Sequence, residues 1–100
     1  MEKRSPHYDL ARIQADVQRL GVAAFTKTAL DGGRAMGLTS AEMLTVVASL
    51  GRRDFFKSMT TYADHRLWQD VYHAATPVRK EAYIKLTLRD GAPVIQFKER

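Results

Sequence analysis

A chain of 100 residues, 45% hydrophobic and 27% charged, suffices for one domain with its own core over residues 1–100 and excludes a disordered arm, which lacks the apolar mass to fold. It has no cysteine, which excludes disulfides and thiolate zinc sites and points to the reducing cytoplasm, and its apolar runs are too short for a membrane span or a signal peptide. A net charge of +5 favours acidic partners such as nucleic acid, against the plainer reading that it only aids solubility.

The predicted elements fall into a helical half and a strand half. Leu10, Ile13, Val17 and Leu20 recur at helical spacing. Ser5-Pro6 or Asp9 would cap this helix, and Gly21 would end it. Val22 to Phe25 reads as a short extended piece. A second helix follows Thr26 or Thr28 and runs to Met36, weakened by Gly32 and Gly33 at roughly 1 kcal/mol each relative to alanine. The third helix opens with a capping box, Thr39 with Glu42, and a hydrophobic staple, Leu38 with Met43. Its apolar stripe continues through Leu44, Val46, Val47 and Leu50, and Gly51 closes it.

From Arg53 the period changes to two. Phe55 to Thr61, Leu67 to Tyr72, Ala82 to Leu88 and Val94 to Lys98 read as four strands of an antiparallel sheet, with the helices on one face. This is the α+β class. Asp90-Gly91 marks a two-residue hairpin turn, which pairs residues whose numbers sum to 181. Ile84 then faces Phe97 and Leu86 faces Ile95, on an apolar face shared with Ala82 and Leu88. The other face pairs Tyr83 with Lys98 and Lys85 with Gln96, at Cβ separations of about 5 Å. That face is either an ordinary solvated surface or a platform on which lysines bind phosphate and an aromatic ring stacks a base. Trp68 and Tyr72 share one face of their strand, where core packing is the simpler role. Gln69 takes the opposite, polar face. Met59 also reads as core.

The stretches Lys57-Ser58-Met59-Thr60-Thr61-Tyr62 and Trp68-Gln69-Asp70-Val71-Tyr72, with Met1 to His7 at the start and Phe97-Lys98-Glu99 at the end, closely resemble the MqsR (motility quorum-sensing regulator) family. The resemblance covers essentially the whole chain. It implies a toxin of a bacterial type II toxin–antitoxin pair, with a RelE-like microbial-ribonuclease fold. Such toxins are mRNA interferases, cutting mRNA at short GC-containing triplets without the ribosome. The resemblance places the family's functional lysine on Lys57, its glutamine on Gln69, its tyrosine on Tyr83 and its C-terminal lysine on Lys98. It also implies a cognate antitoxin that carries the DNA-binding function, so operator DNA is reached only through that complex. Phe56 stands where a family member has tyrosine, leaving a ring that can only stack or pack. Gly32-Gly33 and Ala74-Ala75-Thr76-Pro77 also depart from the family pattern.

No metal or other cofactor is expected, because His7, His65 and His73 are scattered without metal-ligand spacing. Metal-free RNA cleavage can use the substrate's 2′-hydroxyl as nucleophile. Lys57 and Lys98 are the candidates to stabilise charge on the phosphorane, and either could act as acid. Tyr83 would donate a proton or orient the phosphate, and Gln69 would hydrogen-bond to it or to a base edge. Phe56, Lys85, Gln96 and His65 are candidate RNA contacts. His65 is an alternative acid because histidine titrates near neutrality, against the plainer reading of a surface loop residue. Two other functions compete, a non-catalytic nucleic-acid regulator and a toxin that has lost activity. Ser40 to Leu50 holds no lysine or arginine, which tells against a DNA-reading helix.

Overall fold

The computed structural model describes residues 1–100. Three helices, α1 (Leu10–Leu20), α2 (Lys27–Ala35) and α3 (Ser40–Ala48), precede most of the sheet. The strands are β1 (Glu2–Lys3), β2 (Phe55–Thr60), β3 (Trp68–Ala75), β4 (Glu81–Arg89) and β5 (Ala92–Glu99). They form one antiparallel sheet in the order β1-β2-β3-β4-β5. The α+β class holds, and the arrangement is consistent with a RelE-like fold. No helix is long and apolar enough to cross a membrane.

The caps explain the helix bounds. Asp9, not Ser5, caps α1, accepting hydrogen bonds from the amides of Ala11 and Arg12. Thr26 caps α2, and the Thr39–Glu42 capping box of α3 is present in both directions. Gly51 does not close α3. Ser49 does, and the Gly51 amide instead donates to Asp54 as the chain enters a 3-10 turn. The expected extended piece at Val22 to Phe25 is mostly a 3-10 turn, Gly21–Ala24, and only Phe25 bridges to Ile95.

The inner face of the sheet carries Tyr72, Ala74, Ala82, Ile84, Leu86, Ile95 and Phe97 against Ile13 and Val17 of α1 and Met43, Val46 and Val47 of α3. The last hairpin has the expected register: Tyr83 faces Lys98, Ile84 faces Phe97 and Lys85 faces Gln96. Asp90 and Gly91 both take positive φ, 51° and 79°, as a two-residue turn with the twist of its strands requires. Strand β3 runs on to Ala75, which pairs with Glu81. Ala74 and Ala75 are therefore strand rather than loop.

Helix α2 lies along β5, and here the two glycines find their reason. A Cβ on Gly32 would collide with the carbonyl oxygen of Phe97, and one on Gly33 with the Met43 side chain. What is lost in helix propensity is regained in close approach. Gly32→Ala should therefore destabilise the fold by about 2 kcal/mol, because the obstacle is backbone that can yield only if α2 moves. Urea unfolding checks this; a neutral or stabilising result would mean that α2 is not held against β5.

Candidate nucleic-acid interface

A bulge sets up the site. Phe55 pairs with Tyr72 and Lys57 pairs with Val71, so the register slips by one residue at Phe56. Strict alternation would place Phe55 and Lys57 on one face. With the bulge, Phe55 packs edge-on against Tyr72 on the inner side, ring centroids 5.5 Å apart, while Lys57 goes to the outer side. The outer face therefore gathers Phe56, Lys57 and Met59 of β2, Gln69, Val71 and His73 of β3, Tyr83 and Lys85 of β4, and Gln96 and Lys98 of β5.

Four of the residues expected to act together, Lys57, Tyr83, Lys85 and Lys98, meet on this face. The Lys98 Nζ lies 5.2 Å from the centre of the Tyr83 ring and the Lys85 Nζ 5.9 Å from it. Both contacts are within cation–π range. Val71 is completely buried although it faces outward, beneath the lysines paired on either side of it, Lys57 and Lys85. Burial pushes the Lys85 ammonium below the ordinary lysine range, and the positive charges of Lys98 and Lys57 push it further down.

Gln69 lies on the outer face as expected but is largely buried, at 8% exposure. It borders a recess of about 380 Å³ with Tyr62, Lys85, Arg89 and Gln96. A larger groove of about 570 Å³ runs between α2 and the sheet, bordered by Thr28, Asp31, Tyr83, Lys85, Gln96 and Lys98. Lysine-lined and open, the two hollows adjoin through Lys85 and Gln96. Together they make a trough on either side of these two residues, and its chemistry suits a polyanion.

Some residues lie elsewhere. His65 is exposed in the loop between β2 and β3 and borders a further recess with Met1, Glu2 and Tyr62, beside the lysine cluster rather than within it, since Glu2 pairs with Lys57 and Tyr62 also borders the recess at Gln69. Met59 is not core; it sits half-buried on the outer face opposite Gln69. Trp68 stacks on His7 with ring centres 5.2 Å apart, under the Lys3 ammonium, rather than joining the main core. Tyr72 is core, and burial pushes its phenol up to about 12.

Three features escaped the sequence reading. Glu2, on the two-residue strand β1, forms an ion pair with Lys57 at 3.0 Å. Tyr62 is a fully exposed aromatic at the rim of the trough. His73 stacks on Phe56 at 4.4 Å and leans against Tyr83 at 5.4 Å. Only the aromatic character of Tyr62 was visible beforehand. The other two depend on strand limits that periodicity does not show.

A family model described as motility quorum-sensing regulator, toxin of MqsA, matches residues 5–99. A protein of Escherichia coli (strain K12) named mRNA interferase toxin MqsR is 39% identical over 100 residues, the whole of both chains.

Proposed function

The chain belongs to the MqsR toxin family, and from that premise we propose that it is an endoribonuclease that cuts single-stranded mRNA on the outer face of its sheet. The observation that carries this reading is the pair of lysines, Lys85 and Lys98, beside Tyr83, with Lys57 on the same face and near enough for its charge to act on Lys85. A scissile phosphate placed on this face meets the charges of Lys57 and Lys98, the Lys85 amine and the Tyr83 phenol.

The reaction is a transesterification. The 2′-oxygen attacks phosphorus, its proton passes to the neutral amine of Lys85, and a 2′,3′-cyclic phosphate forms as the bond to the 5′-oxygen breaks. Tyr83 supplies the proton that the leaving 5′-oxygen takes up. Lys57 and Lys98 hold the added negative charge of the phosphorane, where fixed positive charge lowers the barrier most. Before substrate arrives, Glu2 occupies Lys57, and a phosphate must displace that carboxylate. Gln69 and Gln96 offer amide donors and acceptors to the bases on either side, which supports sequence selectivity. Phe56 and Tyr62 offer exposed rings for stacking. Nothing in this chemistry calls for the ribosome.

The family description supports a cognate antitoxin as the restraining partner; operator DNA, in the same proposal, is reached only through the toxin–antitoxin complex. Such a toxin works in the cytoplasm, where mRNA is.

The test is incubation of the purified protein with a defined single-stranded mRNA in EDTA, beside Lys57→Ala and Lys98→Ala. Discrete cuts by the parent protein, ending in a cyclic phosphate and reduced by roughly 10²-fold or more in each variant, are expected. Intact RNA that is nonetheless bound in a salt-sensitive way would replace this reading with that of a binding regulator or an inactive toxin.

A further inference from the structure

His73 belongs to no role assigned so far, yet it is central to the outer face. On one side its ring lies nearly parallel to Phe56, tilted by 24°. On the other side it meets its cross-strand partner Tyr83 at a tilt of 38°. Beyond Phe56 stands the Lys57 ammonium, 5.5 Å from the Phe56 ring centre. Beyond Tyr83 stand Lys85 and Lys98. The three rings therefore form a ridge joining the lysine on β2 to the lysines on β4 and β5. The Nε2 atom of His73 is buried without any hydrogen-bond partner, an arrangement that an uncharged imidazole tolerates far better than an imidazolium.

We propose that His73 is a positioning residue of the cleavage site: as a neutral ring wedged between Phe56 and Tyr83, it holds the phenol toward Lys98 and the Phe56 face toward an RNA base. The inference rests on the proposed ribonuclease reading and assigns a further residue to it. The wedge requires neutrality, since a proton on the buried nitrogen adds an unpaired N–H and a charge inside the stack. The charged groups facing it are Arg100, which opposes protonation, and Glu81, which favours it. Burial is the larger influence and holds His73 below the ordinary histidine range. The sign follows. With the folded-state pKa below the unfolded value near 6.5, the stabilising effect of the neutral ring is complete above that pH. It is lost progressively as the pH falls toward the folded-state pKa. Acidification should therefore loosen the ridge before it unfolds the protein.

The experiment compares His73→Ala, His73→Phe and the parent protein by single-turnover cleavage from pH 5 to pH 8, with NMR titration of the His73 ring in the free protein. His73→Ala should lower kcat by roughly 10²-fold, the usual cost of about 1 Å of misplacement, with a smaller change in KM. His73→Phe should recover most of that loss and flatten the acidic limb of the profile. The NMR pKa should lie below 6.5, and the Phe56 ring protons should shift with the same titration. If His73→Phe is as impaired as His73→Ala, or keeps the acidic limb, the wedge role is wrong. A cleavage-negative parent protein would instead remove the ribonuclease reading. The NMR titration, with binding of a 2′-deoxy-blocked RNA to the same three proteins, then decides the ridge alone: an ordinary His73 pKa or equal affinities would overturn it.

Discussion

Lys85→Met is expected to slow RNA cleavage by about 10²–10⁴-fold, the range for loss of a general acid or base, while RNA affinity falls much less. Methionine keeps an apolar side chain over Val71, so the sheet should stay intact and the loss should be chemical. Lys85 is singled out because it lies between the other two lysines. Its half-buried position opposes its protonation most, and the charges of Lys98 and Lys57 oppose it further. A lysine serves as base only when neutral, so kcat should rise with pH through its lowered pKa and then level. The sign has a second consequence. Removing either neighbouring charge, with Lys57→Met or Lys98→Met, should move the limb to higher pH as well as lowering the plateau, because Lys85 then holds its proton more firmly. Single-turnover rates from pH 6 to pH 10 separate the two effects, since plateau and inflection are independent. Full cleavage by Lys85→Met, or an inflection that stays in place in both neighbouring variants, would pass the base role to another group.

How much of this site was legible beforehand depended on which rule governed each strand. The β4–β5 hairpin was legible because Asp90-Gly91 permits one tight turn, and alternation then settles every pair. Tyr83 beside Lys98 follows by arithmetic. Alternation fails on β2, where the bulge at Phe56 turns Lys57 outward against the parity set by Phe55. Only the resemblance to a family placed Lys57 on the same side as Tyr83. His73 was hidden because β3 was expected to stop at Tyr72, where His73-Ala74-Ala75 gives no strong strand signal. Strand β1 has two residues and no period to detect. Its place is fixed by distant partners, and Glu2 comes with it. Gly32 and Gly33 pointed the wrong way, since propensity counts only what a glycine costs the helix and not the approach to β5 that it allows.

Those distant partners meet at Asp70, and Asp70→Ala is expected to cost about 4 kcal/mol of stability, a large part of the roughly 5–15 kcal/mol that holds a small domain together. Asp70 is 1% exposed. Its carboxylate accepts the Ser58 hydroxyl at 2.6 Å, the His7 amide at 3.0 Å and the Tyr8 amide at 2.9 Å. Alanine leaves both amides without their acceptor and the Ser58 hydroxyl with only the long contact to the Gln69 carbonyl at 3.4 Å, in a place where water replaces the carboxylate poorly. Asparagine should be intermediate, because its amide oxygen can keep part of the set while its NH₂ faces donors. The damage should begin at the N-terminal segment, which these bonds tie to β3. Hydrogen exchange should show the amides of His7 and Tyr8 opening first, and the Glu2–Lys57 ion pair should then be lost with β1. In the Trp68-Gln69-Asp70 stretch, neighbouring side chains point to opposite faces. Gln69 borders the trough, while Asp70 anchors the strand whose Glu2 reaches Lys57 there. Urea unfolding and exchange on Asp70→Ala and Asp70→Asn check this order. A loss below about 1 kcal/mol, or protection that fails everywhere at once, would show that the N-terminal segment is held by its other contacts, such as the Tyr8 hydroxyl on the Trp68 carbonyl at 2.8 Å.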